Sequence, residues 1–199
     1  MANREGRALV DRYPWSFTML EAAFSTKNAA LQGDIFTLTS TAFDHVRDDT
    51  MWDRDSSLPI LGPLHARDWQ ALEAFPVTGP YHQFRIRINQ LFFDPIPAAN
   101  ISIFFEYMTR HFCESVASNS QINWLADTDT ALLNEHIFEL GITWRWLKRK
   151  GLDYSEDYAE YERHVANAIC GDGAKPTLRF DGRKGERIPG IFVPEGSWN

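Results

Sequence analysis

Between residues 129 and 170 the chain carries two long apolar stripes at helical spacing, separated only by residues 150–153, "KGLD". Leu133, Ile137, Leu140, Trp144 and Leu147 step by 4, 3, 4 and 3, which is one face of an α-helix. Tyr154, Tyr158, Tyr161, Val165 and Ile169 make a second stripe of the same kind. A link this short turns the second helix back along the first, so the spacing predicts a helical hairpin over 129–150 and 154–170. Asp127, Thr128 and Asp129 supply oxygens for the first N-cap and complement the positive end of the helix dipole. Lys148, Arg149 and Lys150 suit the last turn, with Gly151 as a left-handed stop. Asp153 and Glu156 resemble a capping box for the second helix, and "GDG" at 171–173 reads as its end.

The remainder of the chain makes the expected fold class α+β, an antiparallel helical bundle or hairpin with a β-rich insertion and an extended C-terminal arm. Residues 2–12 predict a short polar helix with a thin apolar face, stopped where Pro14 forces Tyr13 out of helical geometry. Residues 17–62 hold short β-branched and aromatic runs, "FTMLEAAFST", "DIFTLT", "HVRDDTMW" and "LPILGP", which read as strands and loops. Helical spacing returns at 64–75 through Trp69 and Leu72, between Pro63 and Pro76. Over 80–110, Phe84, Ile86 and Ile88 alternate with Arg85, Arg87 and Asn89; "NQ" supplies a turn and "ISIFFEYM" a following strand. Residues 1–173 are thus one domain. Residues 174–199 have three Pro, four Gly and no period, yet they hold Ile191, Phe192, Val193 and Trp198, so they read as an arm that buries apolar side chains on a partner.

Composition narrows the function classes. With 199 residues and 44 % hydrophobic content the chain can bury a core without staples. Two cysteines, Cys113 and Cys170, make no disulfide framework, and the charged N-terminal residues are unlike a signal peptide, so synthesis as a soluble protein in a reducing cytoplasm is expected. The formal net charge of −7 disfavours tight nucleic-acid binding. After Gly171 five cations face four acids, leaving +1 there and −8 before it. A mildly basic tail on an acidic body suggests docking on something acidic.

No catalytic pattern stands out. His136 and Glu139 share a helix face, as do Glu160 and His164, but carboxylate-bridged metal bundles use the order Glu-x-x-His and further helices. These pairs read as surface ion pairs, and no metal or cofactor is expected. Asp127, Asp129, Glu135, His136 and Glu139 are residue types that acid–base chemistry uses, which keeps a peptidoglycan hydrolase open as an alternative. There is no Gly-x-Ser-x-Gly elbow, Walker A loop or dinucleotide fingerprint. Cys170, near a helix C-terminus, lies where the dipole disfavours a thiolate. A cytoplasmic regulator that oligomerises through its hairpin is a third reading. Trp144 and Trp146 lie two apart and face different sides of their helix, and with Trp52, Trp69 and Tyr107 they raise a subunit interface as the destination of some aromatic surface, against a single filled core.

Four blocks, in this order, resemble the head-to-tail adaptor (connector) proteins of tailed bacteriophages: "ANREGRALVDRYPW", "DDTMWDRDSSLPILGPLHARDWQALEA", "GPYHQFRIRINQLFFDPIPA" and "WLADTDTALLNEHIFELGITWRWLKRKGLDYSEDYAEYERHVANAI". The resemblance spans roughly residues 2–170, with the "WDR…LPILGPL…WQAL" run and the Asp-Thr-Asp helix ending in "KGLDY" as its strongest parts. It implies a non-enzymatic virion protein at the head–tail junction, a helical bundle with a β-rich insertion assembled as a dodecameric ring. Its partners would be the portal protein, tail proteins and further copies of itself, with genomic DNA passing through the lumen and no membrane involved. A negative lumen fits that role, since it repels phosphates and lets the duplex slide. The resemblance also implies a further helix ahead of the "ANREGR" block. The ring wall would be the hairpin 129–170, and the β segments would meet the tail. In the arm, Arg179, Phe180, Arg183, Lys184, Arg187, Phe192 and Trp198 are the candidate inter-subunit or portal contacts, on composition alone.

Overall fold

The computed structural model describes residues 1–40, 42–75, 79 and 81–173. Its elements, in chain order, are α1 (Ala2–Arg12), β1 (Met19–Ser25), β2 (Leu31–Asp34), α2 (Ile35–Leu38), β3 (Phe43–Val46), β4 (Trp52–Asp53), β5 (Leu58–Pro59) and α3 (Ala66–Ala74). There follow β6 (Gln83–Arg87), β7 (Gln90–Asp94), β8 (Ser102–Thr109), β9 (Cys113–Glu114), β10 (Ser120–Gln121), β11 (Thr130–Ala131), α4 (Glu135–Lys150) and α5 (Ser155–Gly171). The class is α+β: helices and several separate antiparallel sheets.

Two apolar clusters organise the molecule. The first is built from the β segments, with Phe84, Leu91, Phe93, Ile103 and Phe105 at its centre and Ile35, Met51 and Ile60 closing it. The long strand β8 organises one sheet: β1 pairs along its whole length on one side, and β3 and β4 share the other. In the second sheet β7 lies between β2 and β6. The second cluster joins Leu9 of α1, Ile137, Phe138 and Trp144 of α4, Tyr161 and Val165 of α5, and Phe112 and Cys113 beside β9. The hairpin is antiparallel, because His136 at the start of α4 meets His164 late in α5, while Trp144 further along meets Tyr154 and Tyr158. Trp15, with no exposed surface, ties the helices to the sheets. Its indole N–H donates to Leu9 O at 2.7 Å, and Thr18 Oγ1 donates to Trp15 O. The Thr109 hydroxyl of β8 donates to Thr18 O at 3.1 Å.

Several expectations need correction. The first hairpin helix begins at Glu135 rather than 129, capped by Asn134, whose Oδ1 accepts from the His136 amide at 3.0 Å. Asp127 and Asp129 are not its caps. Asp129 Oδ2 accepts instead from the amides of Leu125 and Ala126 at 2.8 and 2.9 Å, closing a turn before β11. An aspartate satisfies free backbone amides in a tight turn as readily as at a helix start, and residues 130–131 find ladder partners on β9. "DIFTLT" is not a strand throughout: Asp34 ends β2 and accepts from the Phe36 amide at 2.9 Å, so Ile35–Leu38 make one helical turn. The helix at 64–75 is the shorter Ala66–Ala74. The alternation over 84–88 stops early, since Phe84 is buried but Ile88 leaves the strand with φ 50. The two-residue turn is Ile88–Asn89, one position before "NQ", both with positive φ as a twist-matched hairpin requires. Of the aromatic residues weighed for an interface, Trp69 and Tyr107 are buried, and the Trp69 indole donates to Glu73. Trp144 and Trp146 diverge as their spacing demands: Trp144 is buried and Trp146 is 47 % exposed.

Candidate functional site

The acids that suggested chemistry do not form a shared centre. Asp129 is engaged by two backbone amides, and Asp127, Glu135 and Glu139 are exposed. His136 Nδ1 lies 3.4 Å from Glu139 Oε2, and His164 Nε2 3.9 Å from Glu160 Oε1. The hairpin brings the two pairs together, but the histidine rings meet edge to face with centroids 5.0 Å apart. Among the described residues no group of three or more His, Cys, Asp or Glu is placed to hold a metal ion. Cys113 is buried in the helical cluster, where burial and then the nearby Asp129 carboxylate push its thiol up to about 11, while Cys170 is exposed.

A buried and fully partnered polar group lies between α1 and the hairpin. Glu5 is fully buried, accepts a hydrogen bond from the Tyr161 phenol at 2.5 Å, and is paired with the Arg145 guanidinium. Gly141 makes room for it: a Cβ there would come within 2.5 Å of the Glu5 carboxyl group. A buried charge is tolerated only when paired and hydrogen-bonded, and these partners supply both conditions. Gly6, one residue on, lets the Phe112 ring pack directly on the α1 backbone. At the other end of α1 both Arg12 amino groups engage Glu162, and Ser16 donates from its amide and hydroxyl to Asp172 at 2.8 and 2.6 Å. A helix whose own apolar face is thin is therefore fixed along its length by tertiary contacts. Sequence reading passed over Glu5 because its partners lie 140 and 156 residues away; Gly141, a glycine in the middle of an otherwise helical stripe, was the available signal.

No protein-family model matches the chain, and no curated protein matches it in sequence. Its surfaces therefore carry the functional argument. No helix among the described residues is long and apolar enough to cross a membrane.

Two surface features stand out. The β6–β7 turn presents Ile88 at 88 % exposure, and the turn is held in place because Asn89 O accepts from the Ile35 amide at 2.7 Å. Behind it, Arg87 lies over the Phe92 ring at 5.1 Å, and Arg85 and Leu31 stand opposite Phe92 on the adjoining strands, so this outer face is basic and apolar together. The second feature is a cleft of about 580 Å³ between the first turn of α1 and the last turns of α4, lined by Arg4, Trp144, Arg145, Lys148 and Arg149. The arm residues Arg179, Phe180, Arg183, Lys184, Arg187, Phe192 and Trp198 lie outside the described residues.

Proposed function

We propose that this chain is a structural subunit of the connector ring between the portal and the tail of a tailed bacteriophage, without enzymatic activity of its own. In this reading α1, α4 and α5 form a helical bundle and the β segments form an insertion within it. The bundle is the rigid wall, the insertion reaches toward tail components, and genomic DNA passes through the acidic lumen without being gripped. The four sequence blocks that resemble head-to-tail adaptors supply the family. The arm after residue 173 is assigned to portal or neighbouring-subunit contacts on its mixed basic and aromatic composition.

The observation that carries the interaction role is Ile88. A β-branched side chain in left-handed backbone geometry is sterically disfavoured, and one that is also 88 % exposed gains nothing from burial within its own chain. Its turn is nevertheless fixed by the Ile35 hydrogen bond. An unfavourable conformation held rigid at an exposed tip is the signature of a side chain that is completed by a partner.

Electron microscopy of the purified protein mixed with portal assemblies tests the reading, with a second ring seated on the portal as the expected result. Deleting residues 174–199 should leave the domain folded and abolish that docking; docking at undiminished strength removes the arm from the account. A peptidoglycan zymogram addresses the hydrolase alternative. The connector reading expects no clearing, and clearing lost on Asp127→Ala would transfer the function to that loop.

A further inference from the structure

The loop before α4 and the cleft beside its last turns carry surfaces that complement each other, and the loop does not line its own cleft. At the C-terminal end is the cleft of about 580 Å³, with Trp144 in its wall and Arg4, Lys148 and Arg149 around it. Lysines and arginines in a last helical turn are explained in part by the helix dipole. Arg4 is not, because it comes from a different element, α1, and adds its charge to the same opening. Among the described residues Arg4, Lys148 and Arg149 have no carboxylate partner in ion-pair range, in contrast with Arg145, which is committed to Glu5. An apolar wall with surplus cations suits an apolar side chain followed closely by a carboxylate.

The loop before α4 has that chemistry. Leu125 is 77 % exposed, and the exposed carboxylate of Asp127 follows two residues later. Asp129 fixes the loop by accepting from the Leu125 and Ala126 amides, so the presentation is preorganised. Within one molecule the loop does not line the cleft: the Trp124 amide donates to Asn3 Oδ1 at 2.7 Å and Asp129 closes the turn, which hold the loop in place. A second copy can bring loop and cleft together. We propose that the Leu125–Asp127 loop of one copy seats in the Trp144 cleft of the next, with Asp127 answering the cations around the opening. Such a head-to-tail contact uses different surfaces on the two copies and generates a closed ring when its rotation closes. It rests on the ring reading and names the residues that join neighbouring subunits.

Charge reversal on the full-length chain tests it. One variant carries Lys148→Glu and Arg149→Glu in the cleft; the other carries Asp127→Lys in the loop. Each alone places like charges across the contact, and self-association measured by sedimentation should weaken at least ten-fold, by about the coupling of a close interfacial charge pair. Mixed in equal amounts, the two variants face each other with opposite charges at both contacts, and the oligomer should return. Circular dichroism of each variant checks folding, and recovery on mixing excludes misfolding as the cause of the loss. In a Cys170→Ser background, Asp127→Cys with Arg149→Cys should give a ladder of disulfide-linked species on oxidation. Association unchanged by either reversal, no recovery on mixing, or a wild-type chain that does not self-associate at all would overturn the contact. Rings that persist unchanged in both variants would leave the connector reading standing while removing this interface. Absence of the protein from phage particles would remove the connector reading itself.

Discussion

The Tyr161 phenol donates to Glu5 Oε1 at 2.5 Å, joining α5 to α1 across 156 residues of sequence and completing the environment of a carboxylate that has no solvent exposure. Glu5 would otherwise retain only Arg145 as its charged partner. Tyr161→Phe removes a hydrogen bond to a charged group and should cost about 1.5–3 kcal/mol. Glu5→Ala strands the largely buried Arg145 and should cost more, about 3–5 kcal/mol. Thermal denaturation reads both, at roughly 2–4 °C per kcal/mol for a chain of this size. Burial and the bond to Glu5 hold the Tyr161 ionisation well above its ordinary range. Its contribution is therefore complete below the ordinary tyrosine value of about 10 and falls as pH rises beyond it. In Tyr161→Phe that alkaline loss should be smaller.

Gly141→Ala attacks the same junction from the other side. The added methyl would meet the Glu5 carboxyl group, which is fully buried and held by Tyr161 and Arg145, so overpacking of about 1–3 kcal/mol is expected. Ala is the better helix former, so an unchanged or raised melting temperature would show that Glu5 does not fill that position.

Acid should loosen the end of α1. The hydrogen bond from Arg12 holds the Glu162 carboxyl below its usual range against some desolvation, with the Tyr158 phenol and the Arg12 charge adding to it. A depressed carboxylate stabilises fully above the ordinary glutamate value of about 4.3, and that share is lost as pH falls below it toward the native value. Both side chains are partly exposed, so the effect is small and salt-sensitive. Arg12→Gln should flatten the acid limb of the stability curve, and an unaltered limb in that variant would contradict the assignment.

The two thiols should react differently. Cys113 is buried with its ionisation pushed up to about 11, and Cys170 is exposed. A thiol reagent at neutral pH should modify one cysteine in the native protein and two after denaturation. Rapid modification of both in the native state would contradict the packing around Cys113.

Ile88→Asn separates stability from binding. Asparagine tolerates left-handed geometry, so the isolated protein should be unchanged or more stable, by up to about 1 kcal/mol. Docking on tail components should weaken. A variant that melts earlier would mean that Ile88 packs within its own chain.

What the sequence revealed followed the length scale of the forces involved. Ile137, Trp144, Tyr161 and Val165 could be placed on buried faces because helical periodicity is local, and the α+β class followed from the same local patterns. The start of α4 was misplaced because Asp129 serves a turn and a helix cap by the same hydrogen-bonding habit, and only the β9 pairing decides between them. Ile88 continued the alternation of Phe84 and Ile86 on paper, while the hairpin turn placed it outside the strand. Gly141 alone hinted at the Glu5 node, because its meaning depends on Arg145 and Tyr161 arriving from the far end of the chain. The cleft of Arg4, Trp144 and Lys148 was hidden for the same reason.

The most direct measurement of the central claim is the molar ratio of this protein to the portal protein in purified phage particles, by quantitative mass spectrometry. A ring matched to the portal predicts one copy per portal subunit. Absence from the particles, or a ratio far below one, would contradict the connector assignment.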